Sequence, residues 1–422
     1  MRAIGRFAKE ENMTQDSGHI EVEPPSLPLK GMRLLSFCHY LQGPAAAQYL
    51  ADMGADVIKV EPLGGAFERH WSGAQTFVDG VSAFYLSANR NKRSLAVDLK
   101  KPGARAVLDR LIASADAMLE NYRPGVMDRL GLGYADVLKV NPAIIYASAT
   151  GFGADGPARD RPGQDLLVQA RSGLIAATGA ERPTGIGCAA VDQHGAALLA
   201  MGIAAAYAKK LVTGQGSRVE GSLFNAGIDL QAEALTLYYS GHHSRERFSR
   251  EPHLVTWFHE APYGVYAIAD ATVALSLNPL LRVAEALENP GLAALANLDA
   301  YAERDQIAIA VAEALAGWRW DDLSARFDEH GVWCERVQDY DDLRRDPQAV
   351  HNQRFAEIPV GAGHATVVRH PLKFDGTVPP IRTLPPGPGD QTAEILEQLG
   401  FSASEVDRLF AENVVSNTET RA

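Results

Sequence analysis

Two rhythms of apolar and polar positions alternate along the chain. Short apolar runs at residues 32–37, 56–61, 94–98, 117–120, 143–148 and 217–223 read as strands. Longer stretches rich in Ala and Leu read as helices: one following a turn at Gly43-Pro44 and running to about Gly54, one over 103–115 and one over 195–210. Strands alternating with helices predict an α/β fold whose parallel sheet is covered on both faces.

The rhythm changes after Asn225. Residues 240–262 carry His242, His243, Arg245, Arg247 and Arg250 with little periodicity and read as a loop. Short strands are expected over 263–267 and 272–276, then helices to about Arg326. These shifts divide the chain into an N-terminal arm (1–30), the first part of a large domain (31–227), a smaller domain with its linkers (228–340) and a return to the large domain (341–422). The return is well punctuated. Pro385-Pro-Gly-Pro-Gly389 precedes a helix that Asp390 would cap, Gly400 stops that helix, and Ser402-Ala-Ser-Glu405 has the form of a capping box for the last one.

Composition narrows the function. Hydrophobic residues at 46% and charged residues at 22% are the proportions of an ordinary globular enzyme. A net charge of −12 argues against nucleic-acid binding, so an anionic ligand must meet a local basic patch. Two such patches stand near strand ends: Asn89-Arg-Asn-Lys-Arg93, and Asn121-Tyr-Arg-Pro-Gly125 with Arg129. Cys38, Cys188 and Cys334 are scattered without a CxxC pair, which points to no metal cluster and to a reducing, cytoplasmic setting. Residues 1–30 lack the apolar core of a signal peptide (Met13 could itself begin the chain), and no uninterrupted apolar run is long enough to cross a bilayer. No membrane partner is expected.

Two patterns carry candidate chemistry. Gly151-Phe-Gly153-Ala-Asp-Gly156 spells a dinucleotide fingerprint after a strand, but Pro157 and Pro162 deny it a following helix, and no acid stands about twenty positions on. Asp192 ends an apolar stretch directly before the 195–210 helix. It serves either as N-cap or as a reactive carboxylate at a positive helix end, and the spacing alone favours the cap.

Several blocks follow in order: Gly31-Met-Arg-Leu-Leu-Ser-Phe, then Leu50-Ala-Asp-Met-Gly-Ala-Asp-Val-Ile-Lys-Val-Glu61-Pro, then Asn91-Lys-Arg-Ser94 with Asp98-Leu-Lys100. After them come Glu120-Asn121-Tyr-Arg-Pro-Gly125 with Arg129-Leu-Gly131, Gly163-Gln-Asp165, and Thr213-Gly-Gln-Gly-Ser-Arg-Val219. Through them residues 31–415 resemble the class III CoA-transferases, the formyl-CoA and carnitine-CoA transferase type. The resemblance implies a Rossmann-like large domain with a parallel sheet, built from both chain ends, a smaller α+β domain, and an interlocked homodimer. It implies movement of CoA from an acyl-CoA thioester to a carboxylic acid, between two molecules or within one, with no metal and no tightly bound cofactor. Asp192 would be the nucleophile, forming an aspartyl mixed anhydride and then an enzyme–CoA thioester. His39, Val97, Lys100, Asn121, Tyr122, Arg123 and Arg129 would contact CoA. Gly195 would supply an N–H to the oxyanion, and Gln164 would orient a thioester carbonyl or acceptor carboxylate.

The chain departs from the pattern in places. A family glutamine that touches the acyl intermediate falls on Leu41, with Gln42 one place later, and a family arginine is Pro62. The glycine-rich flap has no counterpart in 240–262, and the small domain's Gly-x-Pro-x-Gly-Pro reads Gly331-Val-Trp-Cys-Glu-Arg336. These differences argue against formyl or oxalyl substrates. The rival is an α-methylacyl-CoA racemase, which needs a proton-exchanging group on each side of the α-carbon. Its histidine position is Gln164 here, and His194 shares a segment with Asp192, so transfer is the better reading. A CoA-ester-binding protein without catalysis is the alternative from another class.

Overall fold

Residues 27–417 are described by the computed structural model, and most of the arm expected over 1–30, Met13 included, lies outside the described residues. The strands, numbered along the chain, are β1 (Arg33–Phe37), β2 (Asp56–Glu61), β3 (Phe77–Val78), β4 (Val81–Ser82), β5 (Lys92–Val97), β6 (Ala117–Glu120) and β7 (Ile145–Thr150). They continue with β8 (Ser217–Ser222), β9 (Gly264–Ala267), β10 (Thr272–Leu275), β11 (Cys334–Arg336), β12 (Phe355–Val360), β13 (Gly363–Val368) and β14 (Val415–Ser416).

The main sheet has the order β14-β5-β2-β1-β6-β7-β8. Its neighbours are parallel except for β14, which runs antiparallel to β5. The chain winds outward from β1 through β2 to β5, returns to β6 beside β1, and winds outward again on the other side. The boundary of β1 and β6 is therefore a topological switch point, where a crevice opens beyond the carboxyl ends of the strands. Side chains alternate across the sheet as period two requires. Leu35, Ile58 and Met118 join Leu111, Ile395 and Leu409 on one face. Leu34, Val57 and Leu119 join Leu50, Leu199 and Ile203 on the other.

Three expected helices need adjustment. The first spans Gln42–Asp52, so Gly43 and Pro44 lie inside its first turn, where a missing proline N–H costs no helical bond. The one expected over 195–210 spans Ala190–Thr213 and takes Asp192 into its first turn. By length and composition alone that helix could cross a bilayer, although polar residues interrupt its sequence. One side of it packs on the Gln42–Asp52 helix, while Met201, Leu211 and Val212 are exposed. Asp390 does not cap the Thr392–Gln398 helix: Gln391 holds the cap position, and the Asp390 carboxylate accepts the Gly387 N–H at 2.5 Å instead. The capping box at Ser402 and Glu405 forms with both of its bonds.

Strands β9, β10 and β11 make a three-stranded antiparallel sheet. Its apolar cluster, including Tyr266, Val283, Val311, Leu323 and Phe327, is separate from the clusters on the main sheet.

Candidate active site at the switch point

The chain leaves β1 at Phe37 and leaves β6 at Glu120, and the residues that follow meet across the switch point. The His39 N–H donates to Asn121 Oδ1 at 2.8 Å, and Asn121 Nδ2 donates to the His39 carbonyl at 2.7 Å. Glycine makes the approach possible, because a Cβ on Gly43 would stand 2.6 Å from Cys38 Sγ and 3.4 Å from Asn121 Cγ. The His39 ring meets Tyr122 edge-on, with centroids 4.7 Å apart. Burial, and then Lys59, lowers the His39 pKa, so the imidazole is neutral at physiological pH. Lys59 is itself buried beneath the site, donating to the Cys38 carbonyl at 2.9 Å and to Glu68 at 2.8 Å.

The cations expected to hold phosphates separate into two groups. Arg123 and Arg129 follow β6, are exposed, and form no ion pair among the described residues. Gly125, at φ +81, turns the chain between them: a Cβ there would sit 3.5 Å from Arg129 and 3.6 Å from Arg159. Lys100, also exposed and without an ion pair among the described residues, lies past the end of β5, its N–H bonded to Asp98 at 3.1 Å. All three occupy the carboxyl-end edge of the sheet. Residues 89–93 do not. They enter β5 from its amino end, on the opposite edge, and their cations are spent. Arg90 grips buried Asp52 with two bonds, at 2.6 and 3.1 Å. Buried Lys92 donates to the Pro44 and Ala88 carbonyls and to Asn89 Oδ1. Arg93 pairs with Asp56 at 2.7 Å and Glu394 at 3.2 Å. Val97, expected as a CoA contact, puts its side chain into the core and leaves only its main chain for a ligand.

Asp192 is not the N-cap that its spacing suggested. Ala189 holds the cap position of the Ala190–Thr213 helix and makes no side-chain cap bond. The capping is done from elsewhere in the chain: Asp165 Oδ1 accepts the N–H of Val191 at 2.8 Å and of Asp192 at 3.1 Å. Gln169 Nε2 holds the other Asp165 oxygen at 2.5 Å. The crossing of two glycine backbones, Gly151 after β7 and Gly163 before Asp165, brings this segment in. The Asp192 carboxylate consequently makes no hydrogen bond among the described residues. Burial, and then the neighbouring Asp165 charge, raises it to about 7.

Gly195 lies one turn along the helix, and a Cβ there would stand 2.5 Å from Gln42 Nε2. Gln42 and Gly195 both line a cavity of about 830 Å³ between this helix, β8 and the segment that follows it. Leu41 does not share that place; it packs in the core. Gln164 is exposed, its backbone extended ahead of the Asp165–Arg171 helix. His194 Nε2 is held by Asp229 Oδ2 at 2.7 Å.

Two functional candidates escaped the sequence reading. Asp165 lies in the Gly163-Gln-Asp165 block, and nothing in its spacing tells that it caps a helix beginning at Ala190. Glu120 ends β6 in a cavity of about 310 Å³ with Tyr122, Arg123, Tyr146, Arg159 and Arg218. Burial raises it to about 7, although the Tyr122 N–H supports its charge at 2.9 Å. Its place at a parallel-strand carboxyl end was the available signal.

Residues 29–392 match the family model described as CoA-transferase family III. The chain is 30% identical to an acyl-CoA transferase of Fusarium pseudograminearum, over 92% of this chain and 88% of the relative. It is 29% identical to succinyl-CoA–D-citramalate CoA-transferase of Chloroflexus aurantiacus, over 93% and 99%. Succinate–glutarate CoA-transferase of Agrobacterium fabrum is 30% identical over 88% and 96%. Among solved structures, a CaiB/BaiF family protein from Brucella suis superimposes with a TM-score of 0.76 at 28% identity, covering 89% of this chain and all of that one.

Proposed function

The chain belongs to CoA-transferase family III, and from that premise we propose that Asp192 is the nucleophile through which it moves CoA from an acyl-CoA thioester to a carboxylic acid. One observation carries the reading: Asp192 stands in the first turn of a long helix, yet Asp165 does the capping and leaves its carboxylate without a hydrogen bond. An acid placed there meets the positive end of the helix with its own oxygens uncommitted.

The steps balance without an outside reagent. An Asp192 oxygen attacks the thioester carbonyl and expels CoA thiolate, leaving an acyl–aspartyl anhydride. The thiolate attacks the aspartyl carbonyl, which releases the donor acid and leaves a CoA thioester on Asp192. The acceptor carboxylate attacks that thioester, forming a second anhydride and freeing the thiolate again. Attack of the thiolate on the acceptor's acyl carbonyl then yields the new acyl-CoA and restores the Asp192 carboxylate. Each tetrahedral oxyanion needs a fixed donor; with the helix beginning at Ala190 the Gly195 N–H is taken up by helical bonding, and Gln42 Nε2, packed against Gly195, supports that role instead. Gln164, leading the segment that holds Asp192, would orient the acceptor.

CoA would lie across the switch-point crevice, with His39, Asn121 and Tyr122 along its path and Lys100, Arg123 and Arg129 on its phosphates. Asn121 uses both ends of its amide on His39, so its main contribution is to position that turn. The exposed apolar residues of the 190–213 helix, Met201, Leu211 and Val212, support an obligate homodimer. Sedimentation showing an active monomer at low concentration would remove that part. A racemase is less well supported, because Gln164 stands at its histidine position and His194 lies on the same helix as Asp192. Negligible deuterium uptake at the α-carbon of a 2-methylacyl-CoA in D₂O is the expected result.

The main test replaces Asp192 with Asn and with Ala. Both variants should stay folded and lose turnover, and hydroxylamine added with acyl-CoA should modify Asp192 in the unaltered protein alone. Near-normal turnover in either variant sinks the mechanism.

A further inference from the structure

Resting on the transfer reading, we infer that Gln169 is a positioning residue for the nucleophile: its one side-chain amide grips both groups that cap the Ala190–Thr213 helix, and so keeps the Asp192 carboxylate out of the cap. Gln169 is buried, one turn after Asp165 on the same helix, so the two side chains meet at i, i+4 spacing. Its Nε2 donates to Asp165 Oδ2 at 2.5 Å and to the Cys188 carbonyl at 3.4 Å, and its Oε1 accepts the Ile186 N–H at 2.9 Å. A side-chain amide has two N–H donors and one carbonyl, and this arrangement uses all three.

A helix begins with N–H groups that have no partner inside it. Here the Ala190 N–H donates to the Cys188 carbonyl at 2.8 Å, and the Val191 and Asp192 N–H groups donate to Asp165 Oδ1 at 2.8 and 3.1 Å. The Gln193 N–H then bonds the Ala189 carbonyl at 3.0 Å in the ordinary helical way. Both acceptors that serve the first three N–H groups are therefore held by Gln169. An acid in a first turn can itself bond the N–H groups around it, and Asp192 would then lose the free oxygens that attack on a thioester requires. The approach to the helix depends on the same amide. Residues 179–189 belong to no helix or strand, and Gln169 ties that segment down at Ile186 and Cys188. All of these bonds lie within one chain.

The test uses the full-length protein and two variants: Gln169→Leu, which removes every bond, and Gln169→Glu, which keeps an acceptor for Ile186 and loses the amide donor to Asp165. CoA exchange is followed with butyryl-CoA and labelled butyrate and with succinyl-CoA and labelled succinate, and kcat is taken per folded molecule from the faster pair. Gln169→Leu should lower kcat at least about tenfold while KM for the acyl-CoA changes by less than about twofold. In Gln169→Glu two carboxyl groups meet at hydrogen-bond distance and share one proton. With that proton in place an acid O–H stands in for the amide donor, and when it leaves the grip is lost. The ratio of this variant's kcat to that of the unaltered protein should therefore fall at least about tenfold between about pH 6 and about pH 9. Variants that melt lower but keep the unaltered kcat, with a ratio flat in pH, give Gln169 a role in stability alone and overturn the inference while leaving transfer intact. A loss of CoA affinity as large as the loss of kcat overturns it too. If the unaltered protein exchanges neither pair and hydroxylamine leaves Asp192 unmodified, the transfer reading itself falls.

Discussion

Residues 89–93 and residues 121–129 both carry arginines to strand ends, and in sequence either could hold a phosphate. In the fold the first set faces Asp52, at the end of the Gln42–Asp52 helix, and Asp56, on the neighbouring strand β2, and its arginines disappear into ion pairs. The second set faces solvent at the carboxyl ends of parallel strands, and neither Arg123 nor Arg129 forms an ion pair among the described residues. The difference is one of strand direction. A basic residue before a parallel strand lies on the edge away from the switch point, where a cation serves stability. A basic residue after one lies where ligands bind.

The largest effect should come from breaking a buried pair in the first set. Arg90→Ala leaves Asp52 buried without its partner and should cost about 3–5 kcal/mol of stability. CoA affinity of the protein that remains folded should not change, as denaturant melts and equilibrium binding would show. Large loss of CoA affinity at full stability would move residues 89–93 into the ligand site.

Acids extend the contrast, since Asp52 is answered by an arginine and Asp192 by none. Burial and Asp165 lift Asp192 to about 7, above its value in an unfolded chain. Between about pH 4 and 7 the folded protein therefore keeps a proton that the unfolded chain has released, and this acid's contribution to stability falls as pH rises through that window. Asp192→Asn removes the penalty. It should gain about 2–4 kcal/mol at pH 8 and almost nothing at pH 4, read from melts at both. A gain independent of pH would deny the perturbed carboxylate. Activity of the unaltered protein should rise through about pH 7, and Asp165→Asn should move that limb to lower pH.

In the second set, Arg123→Ala or Arg129→Ala should weaken CoA binding by about 1.5–3 kcal/mol, roughly ten- to a hundredfold. Stability should shift by no more than about 0.5 kcal/mol, as for other exposed positions. Binding of an analogue without the 3′-phosphoadenosine should fall much less, and equal losses for both ligands would remove these residues from the phosphates. The smallest effect is expected from Arg93→Ala. Its partners are partly solvated, so about 1 kcal/mol of stability or less is at stake.

The alternating core was legible because burial on both faces writes apolar runs directly into β1, β2 and β6. The exact start of the Ala190–Thr213 helix was not. Its first turn is fixed by Asp165, far away in sequence, and no local pattern records a cap supplied from another segment. Asp192 could be singled out from its neighbours, but its free carboxylate could not, since that freedom depends on Asp165. Leu41 and Gln42 show the same limit at one-residue resolution: helix phase alone sends Leu41 to the core and Gln42 to the cavity.

The edge strand β14 has a consequence for how the protein is made. It pairs with β5, and Val414 and Val415 join the same apolar cluster as Leu35 and Ile58. A ribosome that has delivered every strand from β1 to β8 has thus delivered a sheet with one flank bare and one core unfilled. The intervening chain must be made and looped out before that flank closes, a separation in sequence that slows folding and leaves an adhesive edge meanwhile. Premature termination a few residues short of Val415 should therefore send the chain to aggregates or proteases, even though every residue proposed to touch substrate would already be present.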